Sequence, residues 1–472
     1  MMLGVIYLIL CMLIGKELAG LLLSKKSGYN QIWLTLTAAF GTGVLIMGWA
    51  TYMTAWAASE AGAAHPLIYA NAVVMSVAVL IVVLLYWKRY HKAGSFKGIL
   101  ETGMITEHRL FRKEAVFFGA LLVFLTWIMF YVFFIRDGVL YSGYTVYGDY
   151  APHTAMMRSF SMGNNFPTQY PHFGGQDVKY HFMFQFFVGN LEFLGLRLDL
   201  AYNAVSVLAL LGLLIFLYYM AKRLTGSFAA GVLTVFFFFF RSSLSFFRFV
   251  IEHLNSGDLW TTLRDNTTFI GYTTNENWGL WNFNVYLNQR HLAFGLLIVA
   301  IVLWVFMDWL EAGCSVPERG VRWIKNRIFT KKAWLCVHSE TALLAGMLLG
   351  LTSFWNGAAV IGGLLILMGF AVFSDGKLDY LILAVTAVIF SVLQTKIFIW
   401  GNAVSPSFYW GFLSENKSIT GVLWYLIQMS GVFFVGAVLL VFLLRERRQR
   451  AALVSFFFPL IFAFCMSLTP DI

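Results

Sequence analysis

The chain has 472 residues, of which 60% are hydrophobic and only 12% are charged. This composition excludes an ordinary soluble protein, which is about half apolar and about a quarter charged, and it excludes a disordered chain. The net charge of +10 does not indicate a nucleic-acid partner, because the basic residues lie in short segments between apolar runs.

Apolar runs of about 20 residues, long enough to cross a bilayer as helices, follow one another along the chain. They predict an all-α fold class, a polytopic helical membrane protein with about twelve spans. In chain order the predicted spans are 2–24, 31–57, 66–87, 115–136, 200–221, 227–247, 291–311, 338–354, 357–374, 378–398, 420–444 and 451–468. The eighth and ninth are separated because Asn356 and Gly357 form a dipeptide that favours a turn.

The positions of Lys and Arg predict how these helices are oriented. If the helices alternate in direction, one set of ends carries 22 of the 33 basic residues and the other set carries nine. The positive-inside rule places the richer set in the cytoplasm. Segments 137–199, 248–290 and 399–418 then lie on the extracytoplasmic face of the cell membrane. Within the first of them, the amphipathic residues 181–196 predict an interfacial helix along the outer leaflet.

The first outer segment contains a candidate general base. Asp149 lies before a predicted helix and His153 follows four residues later, so both side chains would share one helix face. A carboxylate in this position can accept the proton of a hydroxyl group. The alternative is that Asp149 only caps the helix. Asp177, after two glycines, is a further binding candidate or a simple turn residue.

The same segment and the second one contain side chains suited to binding a sugar. Aromatic faces stack on the C–H surfaces of a pyranose, and amides bind its hydroxyl groups. An ordinary aromatic belt at the membrane interface would also explain the tryptophans. The candidates of the second segment are Trp278, Trp281, Asn288 and Gln289, and Arg158, Tyr180 and His181 of the first segment are further substrate-binding candidates.

Cationic side chains near the outer ends of two helices are candidates for binding a phosphate. Arg290 and His291 stand where the chain re-enters the membrane, and an arginine at that depth needs a partner or a polar cavity. A lipid-linked phosphate would be such a partner, because a guanidinium binds phosphate through two hydrogen bonds. Lys396 is a second candidate. For both cations the alternative is that the side chain extends to the lipid headgroups.

The metal requirement of such a site is unknown from the sequence. Asp149, His153 and Asp177 together could bind a divalent cation, but no spacing demands one. No other cofactor is expected, and no nucleotide-binding loop or His-Glu-x-x-His motif occurs in the chain.

Several of these motifs resemble those of the GT-C superfamily of integral-membrane glycosyltransferases. They are Gly148, Asp149 and Tyr150 with His153 and Arg158, the stretch Asn165 to Pro167, Tyr180 with His181, and the re-entry Asn288 to His291. In domain terms, residues 1–472 would form one transmembrane domain. Residues 1–114 would be an N-terminal extension of a GT-C-like core at 115–472, and the end of the chain is compatible with a missing C-terminal region.

The resemblance implies an enzyme of cell-envelope glycan biosynthesis. Such enzymes transfer a sugar from a polyprenyl-phosphate carrier in the bilayer to a hydroxyl of a glycan, lipid or protein acceptor on the extracytoplasmic face. Asp149 would match their catalytic acidic residue. Two other interpretations stay open, namely a transporter or flippase of lipid-linked sugar precursors and a non-catalytic assembly subunit. A transporter needs broken helices and polar residues within several spans.

Overall fold

The computed structural model describes residues 2–23, 30–93, 105, 107–143, 148–175, 178–239, 243–266, 282–318, 320–399, 404–411, 414–464 and 466–470. These residues are mostly helical, with two short two-stranded sheets. The all-α class is therefore confirmed.

The helices of the N-terminal half are α1 (Met2–Leu22), α2 (Gln31–Glu60), α3 (Pro66–Ala93), α4 (His108–Val132), α5 (Tyr150–Ser161), α6 (Met183–Phe193), α7 (Leu198–Thr225), α8 (Phe228–Phe239), α9 (Leu244–Ser256) and α10 (Leu259–Asp265). Those that follow are α11 (Asn282–Asn288), α12 (Arg290–Cys314), α13 (Gly320–Phe329), α14 (Ser339–Leu351), α15 (Ser353–Phe373), α16 (Lys377–Phe398), α17 (Ile419–Ser430), α18 (Val432–Leu443), α19 (Arg447–Phe456) and α20 (Phe458–Ala463). The antiparallel strand pairs are β1 (Phe133–Arg136) with β2 (Val139–Ser142) and β3 (Val404–Phe408) with β4 (Met466–Pro470).

Eight of the described helices are long and apolar enough to cross a membrane, namely α1, α2, α3, α4, α7, α12, α15 and α16. The number rises to ten if α8 with α9 and α17 with α18 each count as one bent span. A helical membrane protein is thus confirmed, whereas twelve spans are not. The main differences are that α14 has only 13 residues and that residues 451–468 divide among α19, α20 and β4.

The break predicted at Asn356 is present. Helix α14 ends at Leu351 and α15 begins at Ser353, while Asn356 inside α15 has extended backbone angles (φ −165°, ψ 100°). The Asn356 side-chain oxygen accepts a hydrogen bond from the backbone N–H of Ala359 at 2.9 Å. The asparagine therefore satisfies a backbone donor that the interrupted helix leaves free.

The N-terminal helices belong to the same core as the rest of the chain. Tyr7 of α1 and Tyr52 of α2 are buried in the main hydrophobic cluster, which extends to Ala452. Helices α1 and α2 touch through their backbones, since a Cβ on Gly43 would lie 1.8 Å from the carbonyl oxygen of Cys11. A side chain at Gly43 would push α1 away, so α1 and α2 are closely packed parts of the helix bundle.

The ends of the helices form two polar layers. We call the layer formed by the described residues of the segments 52–65, 133–143, 148–175, 178–182 and 282–290 the loop end. Its hydrogen bonds include Asn164 Nδ2 to the Ala64 carbonyl at 3.0 Å. We call the opposite layer the basic end. There, buried Arg223 pairs with Glu311 at 2.7 Å and Arg327 with Asp375 at 2.9 Å.

Helix α6 corrects the prediction of an interfacial helix at 181–196. The segment is helical over Met183–Phe193, but residues 183–191 are all buried. An interfacial helix would expose one face to lipid and the other to water. Helix α6 instead packs against α5, α7 and α2, so it supports the loop end from inside the bundle.

Candidate functional site

The two long polar segments singled out in the sequence meet at the carboxylate of Asp149. Asn288 Nδ2, at the end of α11, donates to Asp149 Oδ2 at 2.7 Å, and Gln289 Nε2 donates to the same oxygen. Asp149 itself immediately precedes α5. The start of α5 and the junction of α11 with α12 therefore form one site, although about 140 residues separate them in the chain.

The side chain of Asp149 does not cap α5. Asp149 occupies the N-cap position, but its carboxylate accepts no capping hydrogen bond. Both amide donors bind Oδ2, and within the described part of the chain no group donates to Oδ1. The carboxylate is thus oriented by the other segment and keeps one oxygen available to a further donor.

Three histidines lie together beside Asp149. The ring centroid of His291 is 5.4 Å from that of His153 and 4.2 Å from that of His181. Nδ1 of His153, Nε2 of His181 and Nδ1 of His291 are buried and find no hydrogen-bond partner among the residues described. Buried polar atoms in native proteins are normally paired, so three unpaired ones side by side make this cluster a candidate binding site.

Burial keeps two of these imidazoles, those of His153 and His181, neutral. It lowers the pKa of His153 to about 4, with the Asp149 carboxylate opposing the shift and Arg290 adding to it. It lowers the pKa of His181 to about 3, and His153 contributes to that shift. Each neutral ring offers one donor and one acceptor. At pH 7 the site therefore presents neutral hydrogen-bonding rings beside the Asp149 side chain.

Arg290 lies beneath this site and is enclosed by protein. Its side chain is fully buried, with the guanidinium 4.3 Å from the ring centroid of Tyr202. It donates to the Leu287 carbonyl at 2.9 Å and to the side-chain oxygen of Asn203. Its NH2 donates to the Met129 carbonyl at 3.3 Å. This placement differs from the expected arginine open to a lipid phosphate, and it gives Arg290 the geometry of a residue that positions Asn288 and Gln289.

The remaining predicted site residues are more scattered. Arg158 pairs with Glu192 of α6 at 3.2 Å, and Lys396 is exposed on the last turn of α16. Tyr180 is partly exposed and lies against His181, with ring centroids 3.6 Å apart. Asp177, Trp278 and Trp281 lie outside the described residues.

The described residues contain no group of three or more His, Cys, Asp or Glu arranged to hold a metal ion. The suggested set of Asp149, His153 and Asp177 includes a residue that is not described. We therefore assign no step to a metal ion.

The residues that surround the buried Arg290 side chain, Tyr150 and Asn203 among them, were not predicted to belong to the site. The Tyr150 hydroxyl donates to the Leu287 carbonyl at 2.8 Å, directly beside the bonds of Asp149. Asn203 lies in the apolar helix α7 and donates to the Phe133 carbonyl at 2.7 Å. Asn203 was the sequence feature that could have indicated these contacts, since a polar residue within a membrane span needs a partner.

No protein-family model, curated protein or solved structure matches the chain. These comparisons do not identify a GT-C glycosyltransferase, and membership of that family stays a prediction. The function is therefore argued from the geometry of the site.

Proposed function

We propose that the protein is a membrane glycosyltransferase of the GT-C type. It would transfer a sugar from a polyprenyl-phosphate carrier to an acceptor hydroxyl on the extracytoplasmic face of the cell membrane. In this proposal Asp149 is the general base. His153, His181 and His291 contact the hydroxyl groups of the sugar or the acceptor.

One observation carries the proposal, namely the state of the Asp149 carboxylate. One of its oxygens is held by two amides, and the other has no donor among the described residues. A base must be held in place and must also be free to take a proton, and this arrangement meets both conditions. The unpaired imidazole nitrogens nearby suit a ligand rich in hydroxyl groups.

The reaction would proceed by displacement at the anomeric carbon. Asp149 Oδ1 takes the proton of the acceptor hydroxyl as its oxygen forms a bond to that carbon. The bond between the anomeric carbon and the carrier phosphate breaks, and its electron pair leaves with the phosphate. Because nucleotide sugars are cytoplasmic, an enzyme working on the outer face needs such a lipid-borne donor.

Arg290 has a positioning role in this proposal. Its guanidinium is already bonded to Leu287, Met129 and Asn203, so it supports the turn that carries Asn288 and Gln289. Direct contact with the phosphate would require these bonds to break.

The substitution Asp149→Asn tests the proposal. A general base typically contributes about 10²–10⁴-fold to the rate, so sugar transfer should fall by that order. Folding should be retained, because asparagine keeps a side-chain oxygen that can accept the hydrogen bonds of Asn288 and Gln289. The assay supplies purified polyprenyl-phosphate-linked hexoses in vesicles with cell-envelope acceptors and measures the release of polyprenyl phosphate.

Asp137→Asn is the matched control. Asp137 is an exposed carboxylate in the β1–β2 turn, with φ of 51°, a conformation that asparagine tolerates well. Transfer should be unchanged in this variant. Normal transfer by a folded Asp149→Asn variant would remove Asp149 from the mechanism and overturn the proposal.

A transporter of lipid-linked sugar precursors is the second candidate, and the breaks in the helices favour it. The chain breaks at Asn356 inside α15 and bends by 108° between α17 and α18. Discontinuous helices are typical of transporters. Movement of the intact sugar-lipid across vesicles without release of polyprenyl phosphate would support this candidate over the enzyme.

A further inference from the structure

A groove at the basic end has the chemistry of an anion site. Its volume is about 530 Å³, and it lies where α13, the end of α15 and the start of α19 meet. Three arginines line it: Arg445, Arg447 and Arg450. It lies at the opposite end of the bundle from Asp149 and is unrelated to the proposed reaction.

The positive charges in this groove are not neutralised by carboxylates among the described residues. Arg447 donates to the Glu318 backbone carbonyl at 2.6 Å, and Arg450 donates to the Leu444 carbonyl. Arg445 is exposed and has no ion-pair partner in that part of the chain. By contrast, Arg448, which does not line the groove, pairs with Glu446 at 2.7 Å.

The helix positions of these arginines also favour an anion in the groove. Arg447 and Arg450 stand in the first turn of α19, where the positive end of the helix dipole disfavours cations. The first residue of α13, Gly320, lines the same groove, so a second helix points its positive end there. A bound anion would offset this accumulation of positive charge.

One wall of the groove is rigid and apolar. The Arg447 guanidinium lies 5.5 Å from the ring centroid of Trp323, and Trp323 stacks on Phe373 with centroids 5.9 Å apart. The Trp323 Nε1–H is held by the Gly313 carbonyl at 2.9 Å. Ile324 and Val454 extend this apolar lining.

We propose that this groove binds an anionic phospholipid. Its phosphate would contact Arg445 and Arg450, and an acyl chain would follow Ile324 and Val454. Basic pockets between membrane helices bind anionic headgroups in this way. A soluble phosphate would use the arginines but would gain nothing from the apolar wall, and for that reason we assign the site to a lipid.

Lipid binding by the purified full-length chain tests this proposal. The probes are phosphatidylglycerol, phosphatidylcholine and sn-glycerol 3-phosphate, with affinity measured by native mass spectrometry in detergent. Phosphatidylglycerol should bind the wild type more tightly than phosphatidylcholine. The double variant Arg445→Gln/Arg450→Gln should bind phosphatidylglycerol about tenfold more weakly or worse, since each arginine near an anionic lipid contributes measurably to binding.

The matched control is Arg109→Gln/Arg112→Gln, which removes two exposed charges from α4 at the same end of the bundle. This variant should bind as the wild type does, and Arg445→Lys/Arg450→Lys should recover part of the lost affinity. The single variant Arg445→Gln guards against misfolding of the double variant, because Arg445 holds no other part of the described structure in place.

Three outcomes would overturn the proposal. They are unchanged phosphatidylglycerol affinity in the folded groove variants, an equal loss in the α4 control, and displacement of the lipid by glycerol 3-phosphate at equal concentration. The last would assign the groove to a soluble phosphate. None of them bears on Asp149.

Discussion

Asn288 Nδ2 lies 2.7 Å from Asp149 Oδ2, and this hydrogen bond joins residues 139 positions apart in the chain. Two more hydrogen bonds join the same segments. Tyr150, which follows Asp149, donates to the Leu287 carbonyl, and Gln289, which follows Asn288, also donates to Asp149. Neighbouring residues of one segment are thus tied to neighbouring residues of the other. This double attachment fixes how α5 lies against the start of α12.

Replacing Asn288 should reveal how the Asp149 carboxylate is held. Asn288→Ala removes one donor, whereas Asn288→Asp also places a second carboxylate beside Asp149. Because like charges at this distance repel, we expect Asn288→Asp to be less stable than Asn288→Ala by about 1–3 kcal/mol at pH 7. Thermal unfolding of both purified variants measures the difference. Equal stability at pH 7 would mean that the two carboxylates do not face each other.

Arg290→Gln should destabilise the fold. The variant leaves the buried side-chain oxygen of Asn203 without its charged donor and empties the space beside Tyr202. We expect a loss of about 2–3 kcal/mol in the free energy of unfolding. The control is Arg264→Gln, because Arg264 is exposed on α10 and should tolerate the change. If the Arg290→Gln variant were stable but bound donor lipid poorly, that result would support the direct contact between Arg290 and the phosphate that the sequence suggested.

The buried histidines make stability sensitive to acid. The folded-state pKa values of His153 and His181 are about 4 and about 3, below the value near 6.5 of an exposed histidine. Between these values the unfolded chain binds more protons than the folded protein does. The free energy of unfolding should therefore fall as the pH drops from about 6.5 towards 4, by up to about 1.4 kcal/mol per pH unit for each histidine.

Unfolding temperatures recorded between pH 7.5 and pH 4 check this dependence. His153→Gln should reduce the slope below pH 6.5, whereas His172→Gln, which changes an exposed ring in the same segment, should not. A slope that is unaffected by His153→Gln would show that other groups control acid stability.

Cysteines introduced at the two ends of the bundle should react with a thiol reagent from opposite sides of the membrane. Cysteines at His172 of the loop end and at Arg109 of the basic end are suitable because both positions are exposed. Tyr150 is not suitable, since it is buried. An impermeant thiol reagent applied outside intact cells should modify position 172 alone. Modification at 109 alone would reverse the predicted orientation.

Much of the site could be found from sequence because its residue types are unusual in an apolar chain. Asp149, His153, Asn288 and Gln289 were singled out by position, and the structure brings them together. That Asp149 would be oriented by amides from the other segment was not predictable. Only the tertiary structure, which brings the start of α5 to the junction of α11 with α12, decides which polar groups meet.

The apolar runs alone determined that the chain is a helical membrane protein, because length and hydrophobicity are sufficient to place a helix in a bilayer. The break at Asn356 followed from a turn pattern in the same way. The number of spans, the burial of α6 and the enclosure of Arg290 were decided by tertiary structure. The physical reason is that lipid and protein interior are similarly apolar, so hydrophobicity does not distinguish a helix surface that faces lipid from one that faces another helix.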